Sequence, residues 1–494
     1  MSTEKYQSAL GPVPLVAFVL VLAAGGGLLV TQTSAGLSLG ATLLASVIFA
    51  AFLNAELGLH IILLSMLLSP EIVVGGMGGV SIGKPDTKGD LLVLRIEDLI
   101  LSAVTLAWIA RTAIFKELGL IRRTALNPAI FTYIASLLVA TLFGIFFGNV
   151  RPLRGFFFLL KYIEYFVVYF IAVNHIRDER QLLRLITTAF VTCAVVSLIG
   201  IGQIPSGERV SAPFEGKYGE PNTLGGYLVF MLALILGLTL TVNSLPARIG
   251  GFTFAGLTGI PLLFTLSRSS WLAALPMLFT LILLSRRRFL LIVPLALGVA
   301  FGPILLPDAV LKRYRYTLQE KFDRGEYRLG GARFDTSTSA RFESFEFGLV
   351  AWTQRPFLGY GVTGFTFMDA QYVRVLVESG LVGFCAFLWL VWSIFRTARN
   401  TYKRVSGTPY EGLALGYPAG LVALLVHAIG ANTFIIVRIM EPFWFLTGIV
   451  VILPSLVESP GEAASTTTTP SRGYLESRRP TPPSQPRSDM RGSP

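Results

Sequence analysis

Histidine and cysteine are scarce in this chain: its 494 residues include His60, His175 and His427, and only two cysteines. Neither an H-E-x-x-H run nor a paired C-x-x-C occurs, so no zinc site of the usual ligand pattern is expected. Cys193 and Cys385 each fall inside an apolar run, which suits packing residues better than a disulfide. Charge is short too, with 14% Asp, Glu, Lys and Arg against about 25% in an ordinary soluble chain. A soluble globular class does not fit. The net charge of +12 does not argue for nucleic acid either, because the basic residues gather at the ends of hydrophobic runs, as membrane orientation requires.

What the chain has is apolar sequence, 53% hydrophobic residues with a mean hydropathy of +0.65. Runs of roughly 20 apolar residues recur along it, the length a helix needs to cross a bilayer. The expected fold is an all-α polytopic membrane protein of about 12–14 transmembrane helices with one large extracytoplasmic loop. Spans are expected near 12–31, 37–53, 56–70, 91–111, 128–147, 155–174, 183–203, 222–243, 248–265, 270–285, 289–306, 371–396, 411–430 and 433–453. The first is read as a retained helix rather than a cleaved signal peptide. Three parts follow: N-terminal helices 1–205, a core 206–455 containing the loop 307–370, and a Ser/Thr/Pro/Arg-rich tail 456–494 read as disordered.

Basic connections at Arg111–Arg123, Arg177–Arg184, Arg286–Arg288 and Arg396–Arg404 fall on one side by alternation, and the positive-inside rule makes that side cytoplasmic. Both termini are then cytoplasmic, and the polar stretches Pro205–Pro221, Ser267–Ser270 and Pro307–Ala370 face outward. Within the long loop, Phe342, Phe345, Leu349 and Trp352 share a helical face. An amphipathic helix on the outer leaflet fits this spacing, and so does packing on a small extracytoplasmic subdomain.

Candidate chemistry sits in those outward stretches. Arg209 and Lys217 lie among glycines and prolines, where backbone N–H groups and a cation can converge on a phosphate. Head-group contact at the interface is the plainer reading. Pro221-Asn222 suits a helix start with Asn222 as its cap. Arg268, flanked by serines, reads as either a snorkelling anchor or a second phosphate clamp. Asp369 and Tyr372 lie where the long loop re-enters the membrane; Asp369 is either a helix cap or a carboxylate acting on a hydroxyl. Arg95/Asp98, Lys161/Glu164 and Arg438/Glu441 have i,i+3 spacing and read as structural pairs. Two look-alikes fail: Gly78–Lys84 has P-loop spacing but is followed by Pro85, and Gly359-Tyr-Gly-Val-Thr-Gly364 is no βαβ element but a turn back to the membrane.

In order and spacing, Arg209…Gly216…Glu220-Pro-Asn222, Thr265-Leu-Ser-Arg268-Ser-Ser-Trp271, Ser339-Ala-Arg341, Arg355-Pro-Phe-Leu-Gly-Tyr-Gly361 and Gln371-Tyr372…Glu378-Ser-Gly380-Leu-Val-Gly383 resemble the bacterial O-antigen ligase and polymerase family. The resemblance implies glycosyl transfer at the outer face of the cytoplasmic membrane, from undecaprenyl-pyrophosphate-linked glycan to a glycan, lipid or other acceptor hydroxyl. It implies neither a cofactor nor a metal. By position, Arg209 and Arg268 would hold the donor pyrophosphate, Asp369 would handle the acceptor, and Lys217, Asn222, Arg341 and Tyr372 would line the site. Many ligases have histidine where this chain has Asp369, which tilts the expectation toward a polymerase or a ligase with another acceptor. The alternative from a different class is a transporter or flippase of lipid-linked glycan, which needs charged residues deep in several spans along one route.

Overall fold

The computed structural model describes residues 45–68, 71–74, 92–115, 121–213, 219–305, 310–311, 328–329, 332–333, 336–366 and 368–457. The first expected span and the tail lie outside these residues, as do Lys217 and the P-loop look-alike. Residues 45–53 are helical and are followed by α1 (Ala55–Leu68), α2 (Ile96–Phe115), α3 (Asn127–Phe146), α4 (Pro152–His175) and α5 (Glu179–Gln203). Then come α6 (Pro221–Thr241), α7 (Leu245–Phe264), α8 (Arg268–Leu284), α9 (Phe289–Leu305), α10 (Thr336–Gln354), α11 (Gln371–Arg404), α12 (Glu411–His427) and α13 (Val437–Val457).

Two small antiparallel pairs interrupt the helical pattern. The strand β1 (Glu71–Val74) pairs with β2 (Leu92–Arg95), and β3 (Arg328–Leu329) with β4 (Ala332–Arg333). Both fall in or beside stretches read as outer loops. The fold remains an all-α polytopic membrane protein. Among the described residues seven helices are long and apolar enough to cross a membrane, namely α3, α4, α5, α6, α7, α11 and α13. The helices α1, α8 and α12 and the first part of α9 are apolar but shorter. At 17 residues, α8 and α12 reach only about 25 Å at 1.5 Å per residue, short of a ~30 Å hydrocarbon core.

The local sequence explains where these helices begin. Proline stands in the first turn of α3, α4, α6 and α7, where its missing N–H costs nothing. Asp178 caps α5 by accepting from the backbone N–H of Gln181 at 2.7 Å. The centre of the bundle is α6, apolar on every side and buried along most of its length, as an all-round hydrophobic helix must be. It meets α12 backbone to backbone: a Cβ on Gly237 would lie 2.5 Å from the carbonyl oxygen of Gly412. Such close approach of small residues is how helices associate where lipid offers no hydrophobic drive.

The connections sort to two ends. At one, Arg122 reaches Asn174 and Ser455, Arg287 reaches Val242 and Asn243, and the Tyr402 hydroxyl donates to the Leu284 carbonyl. This is the basic end anticipated from the loops. The opposite end gathers the turns before α6, α8, α11 and α13. Helix α10 packs there on the start of α11, with Phe345 and Trp352 against a small cluster of Met368, Ala370, Val373 and Val377. Leu349, expected on the same face, is exposed, so only part of the predicted stripe is covered by the protein.

Candidate active site

Arg209 lies in an extended loop pinned to the turn between α7 and α8. Its Nε donates to the Thr265 carbonyl at 3.0 Å and a terminal nitrogen to the Leu266 carbonyl at 3.4 Å. The neighbouring Val210 N–H donates to the Phe264 carbonyl at 3.0 Å. Leu266, with φ of 49°, occupies the left-handed region that a leucine rarely adopts, so the turn is tight and held from outside. Ser267 caps α8, its side chain accepting from the Ser270 N–H, and Arg268 is the first helical residue.

The Ser267 hydroxyl also donates to Asn222 Oδ1 at 2.8 Å, which ties the start of α8 to the start of α6. Asn222 is therefore not the cap expected from sequence. The cap position belongs to Glu220, Pro221 opens the helix, and Asn222 sits inside the first turn with its side chain turned to α8. The two N-termini can touch because Gly225 has no side chain: a Cβ there would lie 2.1 Å from the Ser270 hydroxyl. Two converging helix N-termini, each the positive end of a helix dipole, together with two arginine-bearing segments, make a place suited to a polyanion.

The loop between α12 and α13 joins this corner to Asp369. Ser269 donates to the Gly430 carbonyl at 3.3 Å, and Asn432 Nδ2 to the Met368 carbonyl at 2.8 Å. The Phe434 N–H donates to Gln371 Oε1 at 3.0 Å. Asp369, half-buried, is thus held between residues fixed on either side. Its cap reading falls: the cap of α11 is Ala370, with no side-chain bond to the helix. Tyr372 donates its hydroxyl to the Leu425 carbonyl and so ties α11 to α12. Arg341 falls on α10, with its side chain outside the described residues.

Sequence reasoning missed the supports. Arg438, fully buried in the first turn of α13, donates to the Pro213 carbonyl at 2.9 Å and lies 3.8 Å from Glu97 at the start of α2. Lys161 on α4 pairs with Asp98 at 3.0 Å. These two contacts join different helices, α2 with α13 and α2 with α4. Between α1, α5, α6 and α13 lies an apolar cavity of about 10 Å³, room for no more than a single water. An open depression of about 480 Å³ lies at the basic end, lined by Asp178, Glu179, Arg180 and Arg184. Neither touches Arg209, Arg268 or Asp369. Among the described residues no group of three or more His, Cys, Asp and Glu is arranged to hold a metal ion.

A bundle of apolar helices, seven of them long enough to cross a bilayer among the described residues, is a polytopic membrane protein. Residues 253–388, from within α7 to the middle of α11, match the family model described as O-antigen ligase. That stretch includes Arg268 and Asp369 but not Arg209. The family implies ligation or polymerisation of glycans at a membrane. No curated protein matches this chain.

Proposed function

We propose that this protein transfers glycan from a polyprenyl-pyrophosphate carrier to an acceptor hydroxyl at the outer face of a bacterial cytoplasmic membrane, as a polysaccharide polymerase or an O-antigen ligase-like enzyme. The observation that carries this reading is the fastening of Arg209 to the turn that opens α8 at Arg268, beside the start of α6. It collects two guanidinium-bearing segments and two helix N-termini at one corner. Guanidinium groups hold phosphate oxygens through paired parallel bonds, which a lysine cannot make.

In the reaction, the acceptor oxygen forms a bond to the anomeric carbon while the bond from that carbon to the carrier's phosphate oxygen breaks. The leaving pyrophosphate gains negative charge, which Arg209 and Arg268 offset. Asp369 accepts or orients the acceptor's proton, and a carboxylate is a weak base toward a hydroxyl. Much of the rate therefore rests on the cations, and removing one such donor costs on the order of 10²–10³ in rate. The basic end of the bundle then faces the cytoplasm, with both termini.

Cells carrying Arg268→Ala or Asp369→Asn at unchanged protein level are the test. Both are expected to accumulate lipid-linked glycan and to lose polymer or ligated product. Normal output from both variants would overturn the assignment.

A further inference from the structure

Helix α11 is broken. Gly380, at φ 63° and ψ −168°, leaves the helical region, so the first segment, Gln371–Ser379, is not positioned by continuity with the long helix that follows. The Arg355–Gly361 turn fills the break. Its Tyr360 and Gly361 N–H groups donate to the Val377 and Glu378 carbonyls at 2.9 and 2.8 Å. In return, the Leu381 and Val382 N–H groups donate to the Pro356 and Phe357 carbonyls at 2.8 and 3.2 Å. Backbone groups freed by a break inside a membrane protein need partners, and the turn supplies them.

Inside this joint is a buried ion pair that the catalytic reading does not use. Arg374 Nε lies 3.1 Å from Glu378 Oε1, with the side chains 8% and 6% exposed. The same Glu378 oxygen accepts from the Thr363 N–H at 3.2 Å, in a residue held at φ 64°. Arg374 donates its backbone N–H to the Ala370 carbonyl at 2.9 Å, next to Asp369, and its charge also acts on Asp369 and on Tyr162 from α4. Glu378 thus anchors the short segment to the turn, and Arg374 carries the anchor to the end where Asp369 stands.

We propose that Arg374 and Glu378 are positioning residues for Asp369, setting its carboxylate for the acceptor step through the joint between the broken helix and the Arg355–Gly361 turn. This rests on the glycosyl-transfer reading above. A group held through a second residue affects the chemical step because small misplacements of a reacting group are costly, up to about 10²-fold for 1 Å. A merely structural pair would instead lower the amount of folded protein and leave the kinetics of the folded fraction unchanged.

The test is steady-state transfer by the purified protein, with lipid-linked glycan as donor, for Arg374→Lys, Glu378→Gln and Asp369→Asn, and for the doubles with Asp369→Asn. Folded protein is quantified by thermal unfolding and size exclusion. The expected result is a kcat about 10- to 100-fold lower for Glu378→Gln, with KM for the donor within about threefold. Adding Glu378→Gln to Asp369→Asn is expected to cost less than about threefold more, because residues acting as one unit are not additive. Glu378→Asp, which keeps the charge, is expected to recover part of kcat. Should Glu378→Gln fail to fold, the same comparison is made on Glu378→Asp and Arg374→Lys. Independent, multiplicative losses in the doubles, or a raised donor KM at unchanged kcat, would overturn the positioning role. Full activity of Asp369→Asn would instead overturn the reading on which it rests.

Discussion

Arg209 and Arg268 stand on a tight turn and two helix starts tied by hydroxyl and carbonyl hydrogen bonds, whereas Asp369 stands on a short helical segment fastened by a buried ion pair and by backbone pairing to the Arg355–Gly361 turn. Both sit at one end of the bundle, and the loop between α12 and α13 links them. The bonds of the first arrangement join Arg209 to Thr265 and Leu266, Ser267 to Asn222 and Ser269 to Gly430. The second is fastened to the long loop itself, from Thr363 to Glu378 and through the Arg355–Gly361 turn, and also from Asn432 to Met368. The arginine corner should therefore tolerate changes in the long loop, and the Asp369 segment should not.

Removing a long-range support separates the two most sharply. Arg438→Met would leave Glu97 as a buried charge without its partner and release the Pro213 carbonyl, and breaking a buried pair costs about 3–5 kcal/mol. The expected result is a large fall in the thermal midpoint in detergent; an unchanged midpoint would show that the α2–α13 tie does not support the loop. Gly380→Ala comes next. A Cβ there would lie 2.2 Å from the Phe357 carbonyl oxygen, and the positive φ alone disfavours a side chain by about 1–3 kcal/mol. The change is expected to weaken transfer by displacing Asp369 while leaving donor binding intact, which a donor-binding titration checks.

Smaller effects belong to the hydroxyl bonds of the arginine corner. Ser267→Ala removes the cap of α8 and its bond to Asn222, with an expected loss of about 1–2 kcal/mol of stability and weaker donor binding. Smallest of all is Arg184→Ala at the basic end. Its pairing with Glu56 is largely exposed, and surface pairs of this kind contribute little. A midpoint shift there as large as that of Arg438→Met would erase the distinction between buried and surface ties.

Much of this architecture was legible in the sequence because apolar runs and proline-marked starts act locally. The expected spans 222–243, 248–265 and 270–285 correspond to α6, α7 and α8 within a few residues. The turn at Gly359–Gly364 was legible for the same reason, its glycines supplying the positive φ values at Gly359 and Gly361. What escaped were the cross-chain partners. Spacing pointed Arg438 only toward Glu441, and its contact with Glu97 is decided by which helices pack together. Asn222 was read as a cap from its place after Pro221, and only the proximity of Ser267 explains its side chain. The break at Gly380 gives no local signal beyond a glycine, because its partner strand of backbone comes from the preceding loop.

Sugar transfer by the purified protein in detergent tests the central claim most directly, since no compartment then exists across which a substrate can be carried. With lipid-linked glycan as donor and a hydroxyl-bearing acceptor, the wild-type protein should form product and release polyprenyl pyrophosphate, and Arg268→Ala should do so on the order of 10²–10³ more slowly. Absence of transfer by the wild-type protein, with movement of lipid-linked glycan across vesicles containing it, would contradict the account and mark the protein as a carrier.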